Sequence, residues 1–382
     1  MKLKLVRDEN GSGPHEKSSS GQQPTVFFYT SPAALQNPGG GEVQLLKTAQ
    51  YLREVGVEVR LFDPWNDRLD RTDWLHLFGT LPECLTMARL AKRFGVRVAL
   101  SPISWYDPLV SWRLETGATR KVRAVTGWFA RRLFPRLPSW RRELIQCVDL
   151  LLPNSTAEAH QLEQLFQADS SRIVVVPNGV DTRFADADRE LFPSLFGVRD
   201  FVLLPGRIEP RKNQLAVVRA LRDTSVPLVV LGDPHVDHTG YYDQCFQEAG
   251  PDVRFIGRMQ HDSPLLASAY GAARVVVLAS WFETPGLAAL EGAMAGAQVV
   301  VTNRGSAPEY FGPAARYVVP DDLAGIRGAI REAMAAPRDG VLRDLVLRRY
   351  RWEAVAAQTL AAYQRGTTAF LRCGSGPLAT AA

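Results

Sequence analysis

A chain of 382 residues, 46% hydrophobic and 22% charged, has the composition of a folded globular protein and the length for two domains with separate cores. Its 45 Lys and Arg against 40 Asp and Glu leave a net charge of +5, too small a surplus to argue for a nucleic-acid partner. Cys84, Cys147, Cys245 and Cys373 form no C-x-x-C pair, which argues against a disulfide framework and a zinc site, and no apolar run reaches the ~18 residues of a spanning helix.

Residues 1–22 are polar, lack the apolar core of a signal peptide and read as a disordered tail. From Thr25 onward strands and helices alternate. Residues 26–29 read as a strand, 38–41 as a glycine loop, 42–54 as a helix ended by Gly56, and 57–62 as the next strand. Strands are expected at 74–78, 96–100, 150–152 and 174–176, with a helix around 85–94. Ser155 and Glu158 have the spacing of a capping box that opens a further helix. The pattern weakens over 181–198 and restarts with an apolar strand at 201–205. A last helix is expected near 352–364. Such alternation predicts an α/β protein with parallel sheets covered by helices on both faces and ligands at the carboxyl ends of the strands. The expected division is a tail (1–22), two Rossmann-like domains (23–185 and 186–350), a C-terminal helix (351–370) and a flexible tail (371–382).

Two motifs in the second half carry chemistry. The apolar run 275–279 leads to Glu283-Thr284-Pro285-Gly286-Leu287, and Glu291 follows Glu283 by eight residues. Pro285 suits the first turn of a helix, so the amides near Gly286 and Leu287 would face an anion such as a phosphate. The two carboxylates could accept hydrogen bonds from sugar hydroxyls; a capping acid plus a surface acid is the competing reading. The other motif is Gly206-Arg207-Ile208-Glu209-Pro210-Arg211-Lys212 after the strand 201–205. Gly206 permits a sharp turn, and Arg207 and Lys212 can reach one diphosphate from a short loop.

Together these residues resemble the group 1, or family 4, glycosyltransferases of GT-B fold, in which two Rossmann-like domains face each other across a cleft. The resemblance covers most of the C-terminal half. It implies that Arg207 and Lys212 bind the donor diphosphate, that Glu283 contacts the donor sugar and that Glu291 contacts the ribose. Further landmarks follow the family order: 153–155, 176–181, the strand and loop 253–258 that line the base, and Ser306-Ala307-Pro308-Glu309, with Gly257, Arg258 and Met259 as donor-binding candidates. It also implies that the glycine loop, including Gly40 and Gly41, faces the donor, and that the last helix returns to the first domain.

The first half is less explicit. Gly39-x-Gly41 with Asp63 about twenty residues on imitates a dinucleotide fingerprint, but Gln44 stands at the third glycine position. His76 is an acceptor-side candidate, as are Asp107 and the potential sugar-stacking rings of Trp105 and Tyr106; a packed histidine and a structural turn are the competing readings. The family often carries a His after the strand 96–100, and this chain does not. Asp233, His235, Asp237 and His238 could be drawn as a metal site, yet solvated loops often have such spacing. No Asp-x-Asp motif stands at a strand end, and no metal is expected. Segment 112–142 holds nine cations, from Arg113 to Arg142, against one acid, Glu115, with Trp112, Trp128 and Trp140 interleaved. This mixture suits an anionic membrane surface; a packed hairpin with a charged exterior is the alternative.

The sequence thus leads to a cytoplasmic, retaining, metal-independent hexosyltransferase, peripheral on the inner face of the membrane. Its donor would be a UDP- or GDP-sugar, without other cofactor, and its acceptor a lipid-linked glycan of a surface polysaccharide or lipopolysaccharide. A soluble synthase acting on a small free sugar and a non-catalytic nucleotide-sugar-binding protein are the alternatives.

Overall fold

A computed structural model of the chain describes residues 24–36 and 39–374. The expected tail 1–22 lies outside the described residues. So does most of the expected tail 371–382, except that the last helix continues to Gly374.

Two parallel sheets organise the chain. The first contains β1 (Thr25–Tyr29), β2 (Glu58–Leu61), β3 (Trp74–Phe78), β4 (Arg97–Ser101) and β5 (Leu150–Leu151), in the order β2-β1-β3-β4-β5. The second contains β6 (Val202–Pro205), β7 (Leu228–Leu231), β8 (Val253–Ile256), β9 (Val275–Leu278), β10 (Gln298–Thr302) and β11 (Arg316–Val318), in the order β11-β10-β9-β6-β7-β8. Every residue of β3, β4, β6, β7 and β9 is buried. Continuous apolar runs such as Val275-Val276-Val277-Leu278 therefore reflect helices on both faces rather than one wet face. Each sheet reverses its order beside its first strand, between β1 and β3 and between β6 and β9. A crevice opens at such a reversal because successive crossovers leave on opposite faces.

The structure departs locally from the sequence reading. Residues 174–176 form no strand. Pro153 has no N–H, and after it the ladder shrinks to a bridge between Leu151 and Ile173 with two backbone bonds, from Val174 and Val176. Gly40 and Gly41 belong to the helix Gly40–Glu54 rather than to a loop. The capping box at Ser155 is half formed. Its hydroxyl accepts from the N–H of Glu158, but the Glu158 carboxylate turns away to the N–H groups of Asn154 and Ser104. Fully buried there, that carboxyl is pushed up to about 7 by desolvation, which its hydrogen bonds oppose.

The helix Trp352–Gly374 crosses back onto the first domain. Trp352, Val355 and Tyr363 join Val26, Leu45 and Trp74 in one core. The two crossings between domains run side by side, with Val180 N–H donating to Tyr350 O at 2.6 Å. A Cβ on Gly179 would lie 2.5 Å from the Trp352 indole, so the crossing admits only glycine at this position.

Candidate active site

The crevices of the two sheets face each other and enclose a cavity of about 520 Å³. The loop after β6 supplies one wall. Gly206, at φ 124°, turns the chain, and a short 3-10 helix, Pro210–Lys212, presents the cations. The loop after β9 supplies the neighbouring wall. Its carboxylate, Glu283, is 4% exposed. Lys212 Nζ donates to Glu283 Oε1 at 2.7 Å and Ser280 Oγ to the same oxygen at 2.6 Å. Burial would raise this carboxyl, but Lys212 and Arg211 outweigh it and hold it below the ordinary 4.5. Burial in turn lowers Lys212, against the pull of Glu283. At neutral pH the Glu283 carboxyl is therefore ionised.

Pro285 does not open the helix. The Thr284–Pro285 bond is cis, and Gly286, at φ 84°, caps the helix Leu287–Met294. The first N–H groups of a helix lack intrahelical partners. Those of this helix start beside Gly286 and Leu287, both at the cavity wall. The loop is pinned from behind. Glu283 N–H donates to Arg304 O, Ser306 N–H donates to Glu283 O, and a Cβ on Gly305 would lie 2.0 Å from Glu283 O.

The first domain closes the cavity with the start of the helix Gly40–Glu54. A Cβ on Gly39 would meet Arg207 Nη2 at 3.0 Å, and one on Gly40 would meet Leu287 Cδ1 at 3.7 Å. Missing side chains here let the helix start approach the walls supplied by the second domain. Asn154 Nδ2 donates to Thr284 O at 3.2 Å, and Glu309 accepts from the N–H groups of Thr156 and Ala157. Two of the sequence landmarks therefore join the domains beside the cavity.

Arg207, Lys212, Glu283, Pro285, Gly286, Leu287, Glu291, Gly40, Gly41, Gly206, Arg258 and Met259 all line the cavity. Gly257 does not. A Cβ there would lie 3.2 Å from Asp233 Oδ1, which accepts the Arg258 N–H, so Gly257 lets that loop close tightly. Asp233 is thus occupied by backbone, and His235 Nδ1 accepts from Asp237 N–H. Among the described residues no group of three or more His, Cys, Asp or Glu is placed to hold a metal ion. Asp63 accepts from Trp65 N–H within its own turn, a structural use that leaves the dinucleotide pattern without support.

None of the four acceptor-side candidates lines the cavity. His76 is 1% exposed and hydrogen-bonded to Tyr363 Oη and Ser101 Oγ. Desolvation pushes it down to about 3, so it is a neutral, satisfied core histidine. Tyr106 packs its ring on Phe166, and the Asp107 carboxylate caps the helix Pro108–Leu114. Trp105 belongs to the same turn. Ile103, at φ 48°, is the residue of this segment that reaches the cavity. Sequence reasoning gave no cavity role to Asn178, Arg211, His261 and Tyr270, which line it. Asn178 had a signal in the landmark 176–181 and Arg211 in its place beside Lys212; His261, on a loop, and Tyr270, on the helix Pro264–Ala272, had none.

Two facing parallel α/β domains with a cationic and acidic cleft define the GT-B class. Residues 38–184 match the family model Glycosyltransferase Family 4, and residues 199–336 match Glycosyl transferases group 1. The chain belongs to the group 1 (family 4) glycosyltransferases, and it is a glycosyltransferase enzyme. A D-inositol 3-phosphate glycosyltransferase of Kribbella flavida is 32% identical over 255 residues, covering 59% of this chain and 58% of that protein. A Nocardioides enzyme of the same name is 28% identical, with 89% of each chain covered. Among solved structures, sucrose-phosphate synthase from Thermosynechococcus elongatus superposes with a TM-score of 0.72 at 18% identity, covering 91% of this chain and 100% of that one. Anabaena HepE in complex with UDP and glucose gives 0.66 at 17% identity, covering 90% and 99%.

Proposed function

We propose that this enzyme transfers a hexose from a UDP- or GDP-sugar to a lipid-linked glycan of a surface polysaccharide or lipopolysaccharide, with retention and without a divalent metal. The observation that carries the donor assignment is the Lys212–Glu283 contact beside the start of the helix Leu287–Met294, with Arg207 in the same cavity. Cation, guanidinium and helix amides converge where a departing diphosphate would gather charge, and stabilising that charge is the main catalytic task. HepE, a structural neighbour, was solved with UDP-glucose. Glu283 Oε1 already accepts two hydrogen bonds, which weakens it as a nucleophile. A front-face displacement fits better. The anomeric C–O bond to the diphosphate breaks, the acceptor oxygen bonds to the same face, and its proton passes to the diphosphate.

Arg207, Lys212 and the helix amides supply the positive charge that a divalent ion would otherwise bring. The purified enzyme is expected to keep its rate in excess EDTA. A loss that magnesium or manganese restores would refute metal independence.

The acceptor assignment rests on segment 112–142. Among the described residues no helix is long and apolar enough to cross a membrane. The helix Ala118–Leu133 nevertheless buries none of its 16 residues, and Phe129, Leu133 and Phe134 are exposed by 52–70%. Cations beside such apolar groups fit the cytoplasmic face of an anionic bilayer, where each cation contributes about 1 kcal/mol. The protein should co-sediment with acidic liposomes, less so but still detectably as salt rises, because only the ionic part is screened. Replacing Arg131, Arg132 and Arg136 by Glu should release it. A wild type that stays in the supernatant at low salt would leave the segment a charged hairpin and favour the soluble-synthase reading.

A further inference from the structure

Glu291 lies on the second turn of the helix Leu287–Met294, and its side chain is 10% exposed. His261 Nε2 lies 2.8 Å from its Oε1, and the Tyr270 hydroxyl, pushed up by burial and by the Glu291 charge, stands near the same carboxylate. Both residues line the cavity with it. A carboxylate can accept about four hydrogen bonds, so the His261 contact leaves lone pairs for a ligand. We propose that His261 is a positioning residue. Its Nε2–H holds the Glu291 carboxylate so that the remaining lone pairs meet the ribose hydroxyls of the donor. The proposal rests on the donor reading above and assigns ribose discrimination to a residue outside the E-x7-E motif.

The geometry around His261 supports a fixed donor rather than a passing contact. His261 stands on the loop after β8, where a side chain needs anchoring to hold a direction. Its backbone oxygen accepts from the Arg183 guanidinium, and its ring meets Phe184 at 6.0 Å, nearly edge to face. Arg183 pairs with Asp181 at 3.4 Å, and Asp181 pairs with Lys47 at 3.1 Å. Lys47 belongs to the helix Gly40–Glu54, whose start closes the cavity from the first domain. The imidazole is thus held by contacts that span both domains. An imidazole has few rotamers, so it holds a carboxylate at little entropic cost.

The test compares nucleotides that differ in one hydroxyl. Calorimetry would measure UDP against 2′-deoxy-UDP, and GDP against 2′-deoxy-GDP, on the wild type, His261→Ala and His261→Gln, with thermal melts to confirm folding. For the base that the site accepts, the wild type is expected to prefer the ribonucleotide about tenfold or more, the scale of hydrogen bonds to a charged group. His261→Ala should reduce that preference to about twofold or less by freeing the carboxylate. His261→Gln, whose amide N–H can donate in place of Nε2, should restore most of it. A merely structural role would weaken both nucleotides alike and leave their ratio unchanged. An unchanged ratio in His261→Ala, or an equal collapse in both variants, overturns the proposal. So does a folded variant that binds no nucleotide, or a wild type that binds both sugars equally. A wild type that binds neither UDP nor GDP instead overturns the donor reading on which this one stands.

Discussion

Glu283→Gln is expected to lower turnover about 100-fold or more, because the negative charge nearest the proposed sugar site disappears while the shape survives. The amide oxygen of glutamine can still accept from Lys212 and Ser280, the two donors that meet at Glu283 Oε1. Folding should therefore weaken by only about 1–3 kcal/mol, the cost of trading a charge-assisted bond for a neutral one. Nucleotide affinity should largely persist, since Arg207 and the amides beside Gly286 are untouched. Glu291→Gln should do the reverse and act mainly on nucleotide affinity. Steady-state kinetics and calorimetry on both variants decide this. Near-wild-type rates in both would remove the E-x7-E assignment.

Lys212→Ala is expected to weaken nucleoside-diphosphate binding by more than about 1.5 kcal/mol, the scale of a hydrogen bond to a charged partner. It should also destabilise the free protein, because it strands Glu283, 4% exposed, without its nearest cation. Breaking a buried ion pair from one side typically costs about 3–5 kcal/mol. The pH dependence then changes sign. In the wild type the Glu283 carboxyl is held below 4.5, so its contribution is present above that pH and is lost on further acidification. Without Lys212, only Arg211 and Ser280 oppose burial, and the carboxyl is expected to rise past its ordinary value. The folded variant then takes up a proton more readily than the unfolded chain, and the penalty shrinks as pH falls towards 4.5. Urea melts across this range test the sign, and calorimetry tests the affinity. Unchanged affinity for every nucleoside diphosphate that the wild type binds would exclude Lys212 from the diphosphate site.

Where the sequence reading failed, local pattern met a tertiary constraint. His76 is the single polar residue in the apolar run Trp74-Leu75-His76-Leu77-Phe78, a pattern equally suited to a strand end at a cleft. Its burial follows from Tyr363, which arrives from the returning C-terminal helix 287 residues away. Pro285 looked like a first-turn proline, but the helix begins two residues later, at Leu287, behind a left-handed Gly286. His261 carried no motif. Its meaning depends on Glu291, 30 residues on and on another element.

The sequence by itself determined the parallel α/β architecture, because runs such as Val275–Leu278 and Trp74–Phe78 are apolar on both faces and can only be covered from both sides. It also singled out Arg207, Lys212, Glu283 and Glu291, whose spacings are local to one loop or one helix start and which the fold brings to one cavity. Only the tertiary structure decided what meets across the cleft: Gly39 against Arg207, Asn154 on Thr284, His261 on Glu291, and Ile103 at the cavity in place of the turn that follows it. Those pairings join residues far apart in the chain, and their geometry is set by how two separately folded sheets dock. Periodicity and spacing describe one element at a time and hold no information about that docking.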